Sequence, residues 1–405
     1  MAKGQANSPR ILVALTGWRT LPHAFMVEES APSSAPSSSD SGPGSGPGLA
    51  ILRWVAFAAC VGLFVHALAK SDLAAAWGRI EAIGPVALLV VVPFPFALAM
   101  DAWAWKGLLA ALGRKASWWT LFVIRIGTEA VTNSAPAGAI WADAISPLLV
   151  AKRAGIPAVD VFAASTAKRW TVVRMHGGYV AVCAGLGAGS ILHASRVLMK
   201  SDVLLVSVFA AAAGLVLLSI ALEALAARGQ IAGRISGTLG NARFQRVKTW
   251  IETRRHHFAR ADVQLARLSK DKRAGAAAAW RMLGLWIFEG LESYVILRLL
   301  GAPLGVIEVL SFDAALSVVR STAMFAPGGI GVQDVGYLAV LQAYGVPDAA
   351  SLGPAFVVLK RLKEAFWIAI GFAILARSGP RAVMREAEDE VVADQSLSQE
   401  PPAAT

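Results

Sequence analysis

The sequence predicts an all-α, polytopic integral membrane protein made of two inverted repeats, each containing a Pro/Gly-broken, re-entrant helix. Three observations predict it. The 405 residues are 56% hydrophobic and only 16% charged, with a mean hydropathy of +0.56, which is more apolar surface than one soluble core buries. The apolar residues gather into runs that suit a hydrocarbon core about 30 Å thick, which takes about 20 residues per helix, and they do not alternate in polarity as barrel strands do. Finally, two segments 191 or 192 residues apart carry the same order of Pro, Gly, Asp and Lys-Arg.

Taken in order, residues 1–48 end in a Ser, Pro and Gly run from Ser30 to Gly48 that has too little apolar surface to offset its ordering entropy, so they are expected to be a disordered tail. The short apolar stretch 11–17 meets Trp18 and Arg19 at once and has no small-residue cleavage site, which argues against a signal peptide. Met26 is an alternative start. The first membrane half, 49–227, holds apolar runs at 49–69, 85–105, 118–150 with a break at Pro136, 156–192 and 203–227. A basic loop, 228–274, separates it from the second half, 275–377, with runs at 275–300, 305–344 broken at Pro327, and 349–376. Residues 378–405 are expected to form a second disordered tail, on the cytoplasmic side.

The net charge of +11 is concentrated rather than spread. Between Arg228 and Arg281 stand thirteen Lys and Arg against three acids, Glu252, Asp262 and Asp271. The positive-inside rule then places this loop, both termini and the turns at Arg114 and Arg153 in the cytoplasm, with the charge-neutral stretch 70–81 outside. That pattern explains the charge without nucleic acid, and it suits a multi-pass protein of the bacterial cell inner membrane. Inside the loop, Phe244, Ile251, Phe258 and Leu265 recur every seven residues, joined by Val247 and Leu268. This basic amphipathic helix either meets anionic headgroups or packs on the cytoplasmic ends of the spans. Cys60 and Cys183 lie in apolar runs, so neither a disulfide nor a Cys-based metal site is expected.

The repeat is defined residue by residue. Counting from Pro136 and Pro327, Gly138 and Gly329 fall at plus two, and Asp143 and Asp334 at plus seven. The turns Gly155-Ile156-Pro157 and Gly345-Val346-Pro347 follow, and then Lys168-Arg169 and Lys360-Arg361. Proline removes a backbone donor and glycine relaxes φ, so each break frees backbone groups that lipid cannot satisfy. Three spans between the copies make the second enter from the opposite side, the arrangement in which paired broken helices mark a midplane binding site.

Charged residues inside these runs are the candidate site. Lys168 lies about 18 Å into its span at 1.5 Å per residue, and an uncompensated cation near the bilayer centre costs about 2.5 to 3.5 kcal/mol. Lys168, Arg169, Arg174, Arg320, Lys360 and Arg361, with Lys363 nearby, outnumber the acids expected to pair with them, Glu129, Asp143, Asp334 and Glu364. An anionic headgroup would balance the excess, since guanidinium groups bind phosphate bidentately. Gly328, Gly329 and Gly331 open a half-helix whose free N–H groups point the same way. The plainer alternative is interhelical ion pairing with snorkelling. Glu289 and Glu292 are intramembrane acids that relay protons or, more simply, pair with Arg298 or Arg281. No constellation for a catalytic residue, metal ion or cofactor is present in the pattern; His256 and His257 lack ligand partners, and the glycines at 185–189 follow no strand.

Several motifs carry a resemblance: Gly127-Thr-Glu129, Asn133, Pro136-Ala-Gly138, Lys152-Arg153-Ala-Gly155-Ile-Pro157, and above all the run from Arg320 through Pro327-Gly-Gly-Ile-Gly-Val-Gln333-Asp334. Over roughly residues 50 to 377 the chain resembles the flippase-like family named after the transmembrane region of lysylphosphatidylglycerol synthase, and especially its hopanoid-biosynthesis-associated subgroup. The resemblance implies a protein that handles or flips membrane lipids, with lipid-modifying enzymes as further partners. The separate aminoacyl-transfer domain of some relatives is not expected, because the stretch 228–275 is too short to be one. A lipid transporter or flippase taking an anionic or amphipathic lipid is therefore the leading expectation, and an enzyme the lesser one. Two alternatives stay open: a membrane-embedded transferase with a lipid-phosphate donor and Asp143 or Asp334 as base, and a non-catalytic scaffold for lipid-modifying enzymes.

Overall fold

A computed structural model describes residues 73–134, 138–228, 255–322 and 332–378, which lie within one unit, Arg53–Ser378. All regular structure among them is helical. The order is α1 (Leu73–Ile83), a 3-10 segment (Gly84–Val91), α2 (Pro93–Ala111), α3 (Trp118–Ser134), α4 (Gly138–Ala154), α5 (Ala158–Leu186), α6 (Ala188–Met199), α7 (Val203–Ala227), α8 (Arg255–Lys270), α9 (Lys272–Leu299), α10 (Val306–Thr322), α11 (Val332–Ala343) and α12 (Ala349–Ser378). Pro93 opens α2, where its missing N–H costs nothing, and Asp271 caps α9 by accepting from the Ala274 N–H at 3.0 Å.

Two stretches are long and apolar enough to cross a bilayer by themselves, Leu73–Ala111 and Val203–Ala227, and a third passes only as the bent pair α5 and α6. Among the other helices, α3 carries Arg125 and Glu129, and α12 carries Lys360, Arg361, Lys363 and Glu364, in their interiors. The two single spans bury little of their surface within the protein and leave Leu88, Val206 and Leu217 exposed, as lipid-facing side chains should be.

The structure departs from the apolar-run reading in two places. The run 156–192 is not one straight span: it bends by 84° at Gly187. A Cβ at Gly187 would meet the Ser311 side chain of α10, so close packing fixes glycine there. The stretch 70–81, expected as a loop, is mostly α1, whose Arg79 reaches across to Asp348 (2.8 Å) and Ser351 (2.9 Å) at the start of α12. The two Gly-Ile/Val-Pro turns are as expected. Gly155 (φ 60°) and Gly345 (φ 64°) both take the left-handed conformation that ends a helix and that a Cβ disfavours.

Contacts between helices recur when α1–α5 are exchanged with α8–α12. The pairs α3·α12, α3·α4, α4·α5, α2·α3, α2·α5 and α1·α12 have the counterparts α10·α5, α10·α11, α11·α12, α9·α10, α9·α12 and α8·α5. The helices α2 and α9, equivalent in this exchange, pack on each other. The amphipathic helix of the basic loop is described only from Arg255. There Leu265 and Leu268 are buried, and Leu265 clusters with Ala163, Ala226, Ala167 and Trp170 of α5 and α7. Leu265 and Leu268 thus pack on the ends of the spans, while Val263 on the same helix is exposed, and the Phe258 side chain lies outside the described residues. Phe244, Val247 and Ile251 lie outside the described residues.

Candidate functional site

The Lys-Arg pairs sit at equivalent places and bond in an equivalent way. On α5, Lys168 donates to Asp101 of α2 at 2.5 Å and Arg169 pairs with Asp143 of α4 at 3.2 Å. On α12, Lys360 bonds Glu292 of α9 at 3.3 Å, and Arg361 bonds Asp334 of α11 at 2.7 Å. Glu292 stands 191 residues after Asp101, the offset of the motifs. In both copies the lysine reaches the first helix of the set and the arginine reaches the Asp at plus seven.

Around this shared plan the copies differ. Asp101 is shared by Lys168 and by Arg125 of α3 (3.1 Å), and Arg125 also holds Glu129 at 2.8 Å. Glu292 is shared by Lys360 and Lys363 (2.8 Å), both on α12, while Arg361 also holds Glu364 at 2.5 Å. Lys168 lies over the Trp105 ring at 4.5 Å, and Lys363 over Phe94 at 4.5 Å, so aromatic faces supply part of the solvation lost on burial. Arg174 pairs with Glu223 of α7. The cations are thus met by carboxylates, several of which come from helices outside the repeated motifs. In particular, Glu292 pairs with Lys360 and Lys363 instead of Arg298 or Arg281.

Burial separates two matching pairs. The side chains of Arg169 and Asp143 are 50% and 53% exposed, whereas Arg361 and Asp334 are 18% and 1% exposed. Gly138 begins α4, and a Cβ there would meet the Val131 and Thr132 carbonyls of α3, which explains glycine at plus two. Arg320 belongs to α10, but its side chain is outside the described residues. Pro136, Pro327, Gly328, Gly329 and Gly331 are also outside them; the flanking helices end at Ser134 and Thr322 and resume at Gly138 and Val332.

Between α3, α9, α10 and α12 lies a cavity of about 50 Å³, with α11 closing it through Gln333. Its lining includes Glu129, Glu289, Glu292, Asp313 and Glu364 against Lys360 and Lys363, with Asn133, Ser317 and Gln333 as neutral polar groups. Sequence reasoning did not single out Asp101, Glu223 or Asp313. A search for acids 191 residues apart, Asp101 and Glu292, would have found the first. Asp313 has Phe122 at the matching position and no such signal.

Apolar lipid-facing helices enclosing a paired-charge core define the class: an all-α polytopic membrane protein. The family described as the lysylphosphatidylglycerol synthase TM region matches residues 48–371, and the chain belongs to that family. No curated protein matches the chain.

Proposed function

We propose that this protein moves a lipid headgroup across the membrane by alternately opening two equivalent arginine–aspartate gates, Arg169–Asp143 and Arg361–Asp334, in repeats of inverted topology. The single observation that carries the reading is the unequal burial of these matching pairs, one half exposed and the other closed. Exchange of the two repeats between such states is how transporters of this design alternate access. An open arginine can release its carboxylate and take a phosphate oxygen instead, which suits an anionic or amphipathic lipid, a hopanoid-related one included. The inner membrane, with cytoplasmic termini, is the location that fits the basic loop.

A transferase using Asp334 as base fits less well, since Asp334 is buried and accepts two bonds from Arg361, at 3.2 and 2.7 Å. The test is a headgroup-accessibility assay in proteoliposomes with fluorescent phosphatidylglycerol and phosphatidylcholine, with headgroup conversion followed on the same sample. Protein-dependent movement of the anionic probe, lowered several-fold by Arg169→Gln in a folded variant, is expected. Conversion of the headgroup without movement would favour the transferase. Neither movement nor conversion would favour the scaffold.

A further inference from the structure

The helix α8 turns two unlike faces to its surroundings. Leu265 and Leu268 are buried, and α8 packs on α5, α7 and α9. Arg260, Val263, Arg267 and Lys270 follow one another at spacings of three and four residues, which puts them on one helix face, and all four are exposed. The first turn of α9 adds Lys272 and Arg273, also exposed. Among the described residues no acid interrupts this surface: Asp262 is buried, and Asp271 caps α9. None of the five cations has an ion pair among the described residues. We propose that this face is a docking surface for the anionic phospholipid headgroups of the surrounding bilayer.

The repeat shows that packing alone does not call for this charge. When the repeats are exchanged, α1 takes the place of α8. It carries one cation, Arg79, and one acid, Glu81. Arg79 is used inside the protein, on Asp348 and Ser351, and Glu81 accepts from Trp77 Nε1 at 2.6 Å. A helix can therefore fill this place with its charges balanced. The surplus on α8 is available to a partner outside the protein.

Two features identify that partner as a lipid surface. Val263 stands among the cations and is 68% exposed, so the face joins an apolar side chain to positive charge, as helices lying in a bilayer surface do. On α9, Arg273 and Trp280 are seven residues apart and so share one side, about 10 Å along the helix at 1.5 Å per residue. Trp280 is 76% exposed. A cation at the helix end with a tryptophan two turns further in is the order of side chains at a membrane interface. The long stems of Lys and Arg let their charged ends reach phosphate while Val263 meets the acyl boundary. Each arginine can take two phosphate oxygens, and the lysines add point charges. Clustered cations beside a span gather anionic lipid, and salt weakens that attraction.

The surface lies apart from both arginine–aspartate gates, and its test needs no lipid movement. The full-length protein with Cys60→Ala and Cys183→Ala takes an environment-sensitive fluorophore on Val263→Cys. It is placed in nanodiscs of phosphatidylcholine alone or of phosphatidylcholine and phosphatidylglycerol in equal parts. Quenching by acrylamide, which is neutral, should fall severalfold when phosphatidylglycerol is present. Salt at about 1 M, where the Debye length is about 3 Å, should remove most of that difference. The combined variant Arg260→Gln, Arg267→Gln and Lys270→Gln should lose the difference while its quenching in phosphatidylcholine stays unchanged. The salt arm decides the matter without that variant should it fail to fold. Equal quenching in the two bilayers, or a difference that survives salt or the triple substitution, would overturn the proposal. An equal response from the same label on Trp77→Cys of α1 would also overturn it, by showing a general effect of the lipid. Protection by a DNA duplex in phosphatidylcholine nanodiscs, with no response to phosphatidylglycerol, would assign the face to nucleic acid instead.

Discussion

The cluster around Asp101 and the cluster around Glu292 use the same lysine–acid and arginine–aspartate plan, yet they spread their charges differently. In the first, the second cation on the shared acid comes from α3, and that arginine has another carboxylate, Glu129, in reserve. In the second, both cations on the shared acid, Lys360 and Lys363, come from α12. The first cluster also has an exposed arginine pair and the second a buried one. A duplicated motif thus fixes which groups meet, while the neighbouring helices decide how replaceable each contact is and how open it is to solvent or lipid headgroups.

The comparison is most exposed to failure at the shared acids. Glu292→Ala leaves Lys360 and Lys363 buried at 5% exposure each without that partner, and breaking a buried pair costs about 3 to 5 kcal/mol. Unfolding in detergent should therefore show the largest loss of all these variants. Asp101→Ala should lose clearly less, because Arg125 still holds Glu129. Equal losses would show that the reserve partner does not matter.

A smaller effect separates the two gates. Arg361→Gln removes the arginine bonds to Asp334, which is buried at 1% side-chain exposure, and should lower the midpoint of thermal unfolding, in the range of about 3 kcal/mol for a broken buried pair. Arg169→Gln removes a half-exposed pair, worth about 0 to 1 kcal/mol, and should leave the midpoint nearly unchanged while slowing probe movement. If Arg169→Gln destabilises as much as Arg361→Gln, the two gates are equally structural and the open-and-closed reading fails.

The smallest effect is expected at a pair outside both clusters, Arg196 and Asp202, at the turn between α6 and α7. Both side chains are more than half exposed, and water screens them. Arg196→Gln should change neither unfolding nor probe movement; a clear change in either would mean that this turn takes part in the gates.

Much of this protein was legible in the chain itself. Hydropathy without alternation gave the all-α membrane class, because lipid tolerates backbone only when its hydrogen bonds are made internally. The fixed offset gave the correspondence of Asp143 with Asp334 and of Lys168-Arg169 with Lys360-Arg361, since duplicated helices keep their spacing. The Gly-Ile/Val-Pro runs marked the two turns, whose left-handed glycines at 155 and 345 the structure then showed. The tertiary structure alone decided that Asp101, Glu223 and Glu292 neutralise the cations, that Gly187 bends a long apolar run, and that Asp313 faces the cavity. Those facts depend on which helix faces lie together, and a sequence records the spacing along each helix but not the rotation of one helix against another.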